Sequence, residues 1–175
     1  MVARTSDVEV MLLLNEEAEK HGDILLIESI GEHYHNITYK ARAWIQWVAE
    51  NPTANCALKS HCHFEFVLKI DDDVMVEPDE LEMLFDRLRP HKGLIACRIF
   101  PDGQVVRNPL SKWHLSRDEY RATSLGTYCQ GMAFIFTGDL ILPMYGNLRR
   151  VQYLWVCWFT IRSSLTLLYL HHIGL

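Results

Sequence analysis

Three consecutive aspartates, Asp71, Asp72 and Asp73, close a run of alternating residues, and this stretch constrains the chain more than any other. Phe64, Phe66, Leu68 and Ile70 alternate with Glu65, Val67 and Lys69, which predicts a strand with one fully apolar face. Carboxylates crowded at the end of a strand repel one another, and folding alone does not call for them. A bound cation would offset that repulsion. Carboxylate oxygens are hard ligands, suited to magnesium or manganese with substrate phosphates completing the shell. In open α/β sheets ligands sit beyond the carboxyl ends of strands, where this triplet falls. The alternative is a solvated acidic turn.

The flanking segments alternate between helical and extended patterns. Ser6 and Glu9 fit a capping box for a helix from Asp7 to about Lys20, ended by His21 and Gly22. Asp23 to Glu28 reads as a buried strand and Gly31 to His35 as a loop. Thr38 to Glu50 predicts a helix with Ala41, Trp44, Ile45 and Val48 on one face, stopped by Asn51-Pro52. After the aspartates, Pro78 opens a helix whose stripe is Leu81, Leu84, Phe85 and Leu88. Gly93 to Phe100 reads as a strand, and Asp102-Gly103 as a tight turn from which Gln104 to Arg107 pairs back. Asn108 to Tyr128 is irregular. Gly131 to Phe136 is a buried strand, and Thr137-Gly138-Asp139 opens a helix towards Tyr145. This alternation predicts an α/β fold with a largely parallel sheet flanked by helices.

At 175 residues the chain has room for one domain with a real core. We place it at residues 1–150, with 151–175 an atypical apolar C-terminal segment. Val151 to Leu170 nearly has the length of a membrane span, but Arg162 interrupts it and suits a buried terminal element better. Met1 to Asp7 is polar and shows no signal peptide. A net charge of -5 without a basic cluster argues against nucleic acid as the main partner. The five widely spaced cysteines are no small disulfide scaffold, and one or two bridges or five free thiols remain open. Cys56, His61, Cys62 and His63 crowd onto one stretch without a second pair at zinc-finger spacing.

Several ordered motifs resemble one known family. Glu17-Ala-Glu-Lys-His-Gly-Asp-Ile24, Tyr34-His-Asn-Ile-Thr-Tyr-Lys40 and the tryptophans Trp44 and Trp47 come first. Lys69-Ile-Asp-Asp-Asp-Val74 follows, then Lys112-Trp113, Tyr120 and Tyr128-Cys-Gln-Gly131. Over roughly Glu17 to Asp139 this set resembles glycosyltransferase family 31, the β-1,3-galactosyltransferase group. The resemblance implies a GT-A-like α/β fold, incomplete here at both ends. It also implies an inverting Golgi hexosyltransferase, with galactose or an N-acetylhexosamine moving from a UDP-sugar to a hydroxyl of a glycan, glycoprotein or glycolipid. A Golgi membrane anchor, absent from this sequence, and a divalent cation, manganese or magnesium, belong to that picture.

By the same resemblance Asp73 is the first choice for a direct metal ligand and Asp71 the second, because residues two apart share a face of a strand. Asp72 then reaches the ribose or a metal-bound water, and Lys112, Trp113, Tyr128 and Gly131 line the donor and acceptor cleft. Trp113 is equally readable as a core aromatic, Lys112 as a solvated lysine and Gly131 as a turn residue. Asn36-Ile37-Thr38 is a glycosylation sequon, though a helix start explains Thr38 as well.

The chain departs from the family pattern at both ends. The expected Arg-rich segment and nucleotide-binding first strand have no counterpart before Glu17. An inverting transfer needs a general base, yet no Asp or Glu follows Asp139, so no catalytic base is assigned. Two rivals follow. One is a pseudo-enzyme that retains a metal and nucleotide-sugar face. The other is a magnesium-dependent phosphatase of the haloacid-dehalogenase type, which Met75 and the missing downstream acids disfavour.

Overall fold

The computed structural model describes residues 1–51, 64–150, 154 and 166–169, the last four through their backbone. The cysteine and histidine cluster at 56–63 and most of Val151 to Leu170 lie outside the described residues.

Strand β1 (Val2–Arg4) and helix α1 (Val8–His21) come first, then β2 (Leu26–Gly31), a 3-10 turn at Tyr34–Asn36 and α2 (Ile37–Glu50). Next are β3 (Phe66–Ile70), α3 (Pro78–Leu88) and β4 (Leu94–Phe100). After the irregular residues 101–127 follow β5 (Tyr128–Thr137), a 3-10 turn at Gly138–Leu140, α4 (Ile141–Asn147) and β6 (Thr166–Tyr169).

The cap of α1 belongs to Asp7 and not to Ser6: its Oδ1 accepts from the backbone N–H groups of Glu9 and Val10 at 3.0 and 3.2 Å. A carboxylate does this better than a hydroxyl because it also complements the positive end of the helix. Gly22, at φ +67°, ends the helix in the left-handed conformation that a side chain disfavours. Asp23 to Glu28 was expected to be a buried strand; β2 starts later and buries only Ile27. Its neighbour β1, which the polar opening of the sequence hides, runs parallel to it and buries Ala3.

The main sheet corrects the expected parallel arrangement. Its order is β3-β5-β4-β6, with β5 antiparallel to both neighbours and only β4–β6 parallel. Strands β3 and β4, joined by α3, do point the same way, but they are not adjacent. A parallel neighbour needs a long crossover, usually a helix. No helix lies between β4 and β5, so the chain returns as an antiparallel strand in the gap. Gln104 likewise does not pair back onto β4; it bridges Ser124, and Leu125 N donates to Gly103 O at 2.7 Å.

Both faces of the sheet are covered. On one, Phe66 and Leu68 of β3 pack with the α3 stripe of Leu81, Leu84, Phe85 and Leu88. On the other, Val67 joins Phe134, Phe136, Ile95 and the α2 residues Trp44 and Val48. Phe136 is completely buried, stacked 6.0 Å from Trp44. Val67 therefore gives the second face of β3 an apolar contact as well. Each buried aromatic of this size contributes roughly 1.5–3 kcal/mol. Gly138 allows the chain to leave β5 beside β3, because a Cβ there would lie 1.5 Å from the carbonyl oxygen of Phe64.

Candidate functional site

The aspartates follow β3 directly. Asp71 N donates to Met132 O at 2.8 Å and Val74 N to Asp71 O at 3.2 Å, so the triplet begins as a turn anchored to β5. Asp71 and Asp72 line a cleft of about 630 Å³. Asp73 is exposed beside it and is not part of its wall. Opposite stand Glu32 and Lys40, ion-paired at 2.6 Å, with Tyr34 and Trp44. Lys40 and Tyr34 close the two ends of the Tyr34–Lys40 motif, and the turn plus first helical turn brings both to the same cleft. Lys69 also lines it. Its ammonium donates to Asp71 Oδ1 and to Gly131 O, the latter at 2.5 Å. Lys69 and Glu32 carried no role in the sequence reading; Lys69 could have been found, since a cation two residues before Asp71 shares its strand face.

The placement of Gly131 comes from a bulge. Along β3 the ladder to β5 is regular, from Phe66↔Thr137 to Ile70↔Ala133. Along β4 it jumps: Cys97 faces Phe134, yet Ile99 faces Cys129. Residues 130–133 are thus unpaired on the β4 side, which is how bulges re-aim side chains and free carbonyls. The Cys97–Cys129 disulfide, with Cα atoms 5.6 Å apart, spans this irregularity and ties its two ends.

A second cleft of about 310 Å³ lies beyond the bulge. Its walls are Phe100, Val106, Leu115 and Leu125, with Gln104, Trp113, Tyr128 and Gln130 supplying polar atoms. Phe100 and Tyr128 stack at 5.2 Å. Gly103 makes room for that ring, since a Cβ at 103 would lie 2.0 Å from Tyr128 Cε1. Burial pushes the Tyr128 phenol above its ordinary value near 10, so it stays protonated at neutral pH.

The expected site residues therefore divide. Asp71 and Asp72 line the first cleft, Gly131 is tied to it only through Lys69, and Trp113 and Tyr128 line the second. Tyr34 joins the two: Trp113 Nε1 donates to its hydroxyl at 3.1 Å. The Lys112 ammonium lies 4.6 Å from the Trp113 ring centroid and 5.8 Å from that of Tyr34. Trp113 is 44% exposed and is thus no core residue. Arg107 holds this loop together, its guanidinium donating to the carbonyls of Leu115, Ser116, Tyr120 and Ala122 at 2.6–2.7 Å. Asn36 Nδ2 is engaged with Gly31 O at 2.8 Å and Thr38 Oγ1 with Leu154 O at 2.5 Å, so both polar ends of the sequon brace the start of α2.

No group of three His, Cys, Asp or Glu side chains placed to hold a metal occurs among the described residues. Magnesium does not require one: it is commonly held by one or two carboxylates, with waters and substrate phosphates filling the rest of its shell. The hard carboxylates of Asp71 and Asp72 in the wall of a cleft large enough for phosphates, with Asp73 exposed beside it, fit that chemistry. No helix among the described residues is long and apolar enough to cross a membrane.

A galactosyltransferase family model matches residues 2–174, further at both ends than the motifs from Glu17 to Asp139. Among curated proteins, the chain is 28% identical to human beta-1,3-galactosyltransferase 5 over 159 residues, which is 88% of this chain and 46% of that protein. It is 25% identical to mouse beta-1,3-galactosyltransferase 1 over 147 residues, 83% of this chain and 42% of that protein. The chain thus spans less than half the length of these relatives.

Proposed function

The chain belongs to the galactosyltransferase family, and from that premise we propose that it transfers galactose from UDP-galactose to a glycan hydroxyl in a β-1,3 linkage. The observation that carries this reading is the cleft of about 630 Å³ at the end of β3, lined by Asp71, Asp72 and Lys40. Such a cleft suits a nucleoside diphosphate with its countercharges. UDP-N-acetylglucosamine and UDP-N-acetylgalactosamine are the nearest alternative donors.

Asp73 and Asp71 would hold a manganese or magnesium ion, and Asp72 faces the nucleotide. When bound, that ion supplies positive charge for the diphosphate leaving group. The protein's own contribution is positional. Lys69 ties the Asp71 carboxylate to the β5 bulge through Gly131, so the acid is held in place before substrate arrives. Tyr34, of the first cleft, holds Trp113, of the second, by a hydrogen bond, and Lys112 lies over the Trp113 ring. The Cys97–Cys129 disulfide supports an oxidising compartment such as the Golgi lumen.

The test is UDP release from UDP-galactose with manganese and a set of sugar glycosides, for the wild type and Asp73→Asn. The substitution removes a charge at constant shape. Metal-dependent transfer is expected to fall at least about a hundredfold, with an unchanged circular dichroism spectrum. Wild-type activity in Asp73→Asn would sink the metal assignment. UDP-galactose binding without UDP release by the wild type would identify a nucleotide-sugar-binding module that has lost transfer.

A further inference from the structure

We propose that Lys40 changes partners during the reaction: its ammonium, paired with Glu32, passes to the phosphates of the nucleoside diphosphate and returns to Glu32 when UDP leaves. This rests on the galactosyltransferase reading. It adds to that reading the side chain that meets the phosphates and the carboxylate that competes for it.

Five charged side chains line the first cleft: Lys40, Lys69, Glu32, Asp71 and Asp72. The acids outnumber the lysines, so these side chains together repel a polyanion. Both lysines are already paired, but not in the same way. Lys69 is held on two sides, by Asp71 Oδ1 and by the carbonyl oxygen of Gly131 in β5. Releasing it would leave a strand carbonyl and a carboxylate without their cation. Lys40 meets a single acceptor among the described residues, Glu32 Oε1 at 2.6 Å. An ammonium carries three N–H donors, so two of those on Lys40 have no protein acceptor there. Its side chain is only 18% exposed and lines the cleft, which leaves those donors to a ligand more than to bulk water.

The partner is equally suited to let go. The Glu32 side chain is 47% exposed, against 18% for Lys40. A carboxylate half in water holds a cation weakly and is rehydrated at little cost once the cation turns away. Only side chains need to move. Glu32 N donates to Arg4 O at 2.7 Å, which fixes the backbone just after β2, and Lys40 stands on the first turn of α2. Lysine fits the exchange better than arginine would, because its charge is a point on a flexible stem rather than a planar fork matched to one carboxylate. A phosphate oxygen with full negative charge makes the stronger charge-assisted hydrogen bond. Glu32 then competes for the ammonium throughout the stay of UDP and shortens it.

UDP is the probe, titrated by calorimetry into the full chain and its variants with manganese present. Lys40→Met keeps the stem and drops the charge, and should weaken UDP about tenfold or more. Glu32→Gln should act in the opposite direction: UDP binds about threefold tighter or more, and dissociates more slowly by a similar factor in stopped flow. That gain separates exchange from bracing, because removing a mere brace would not tighten UDP. Glu32→Gln sits at a half-exposed side chain and carries the test independently of how well Lys40→Met folds. In the Lys40→Met/Glu32→Gln double variant the gain should vanish. Its persistence there would overturn the exchange, by showing that Glu32 acts through its charge alone. UDP binding no tighter in Glu32→Gln than in the wild type would overturn it too, as would unchanged UDP affinity in a folded Lys40→Met. Each of these outcomes, in a wild type that binds UDP, removes the inference alone. A wild type that binds neither UDP nor UDP-galactose overturns the galactosyltransferase reading, and this inference with it.

Discussion

The two clefts have no lining residue in common and differ in chemistry. At the end of β3 the wall carries charge among apolar side chains: Asp71, Asp72, Glu32, Lys40 and Lys69 line one open space. Beyond the β5 bulge it is neutral, built of aromatic rings, aliphatic side chains and two amides. One short piece of backbone serves both. The carbonyl of Gly131 is turned to Lys69, while the side chain of Gln130 goes the other way. The lesson is that a single irregular turn of β5 separates a place suited to phosphates from an aromatic one. A regular strand would have paired residues 130–133 with β4 and offered neither group.

The largest test of the β5 bulge is the disulfide. Replacing Cys97 and Cys129 together by serine opens a loop of sequence separation 32. The chain-entropy model puts the loss of stability at roughly 3–4 kcal/mol. Both clefts should weaken together, read as poorer binding of UDP-galactose and of an acceptor glycoside. Loss of stability with both affinities intact would show that the bulge holds without the bridge.

Gly103→Ala should separate the two. The added methyl meets the ring of Tyr128, and overpacking of this kind costs about 1–3 kcal/mol. Glycoside affinity should fall while UDP-galactose affinity stays. A variant that lost both equally would mean the clefts are not independent. Tyr34→Phe probes the link between them more gently. It deletes the acceptor for Trp113 Nε1, worth about 0.5–1.5 kcal/mol, so a few-fold effect on either affinity is expected.

The smallest effect is one of pH. Tyr128 has its phenol pKa raised by burial, so the folded state keeps the proton longer than the unfolded chain does. Its share of stability is complete below pH 10 and is lost as pH climbs through the raised value. Melting temperatures from pH 9 to 11 should fall less steeply in Tyr128→Phe than in the wild type.

Much of this was legible along the chain. The stripes of α2 and α3 are read directly, because a helix buries residues three and four apart whatever surrounds it. The aspartates at the end of β3 were equally plain, since charge at a strand terminus is a local pattern. The cap at Asp7, the three-residue β1 and the late start of β2 were not. Each depends on which neighbour satisfies a hydrogen bond. The early start of β5 left no trace either: the strand expected from Gly131 begins at Tyr128, ahead of the bulge.

The sequence alone therefore determined where the helices run, that the acids follow β3, and the family resemblance that the galactosyltransferase model extends across residues 2–174. These are properties of spacing and residue type. Only the tertiary structure decided that β5 enters antiparallel between β3 and β4, that Cys97 meets Cys129, and that the expected site residues divide between two clefts. Those outcomes depend on pairing between segments tens of residues apart, where a shift in register moves every side chain to a different face and no local pattern records the choice.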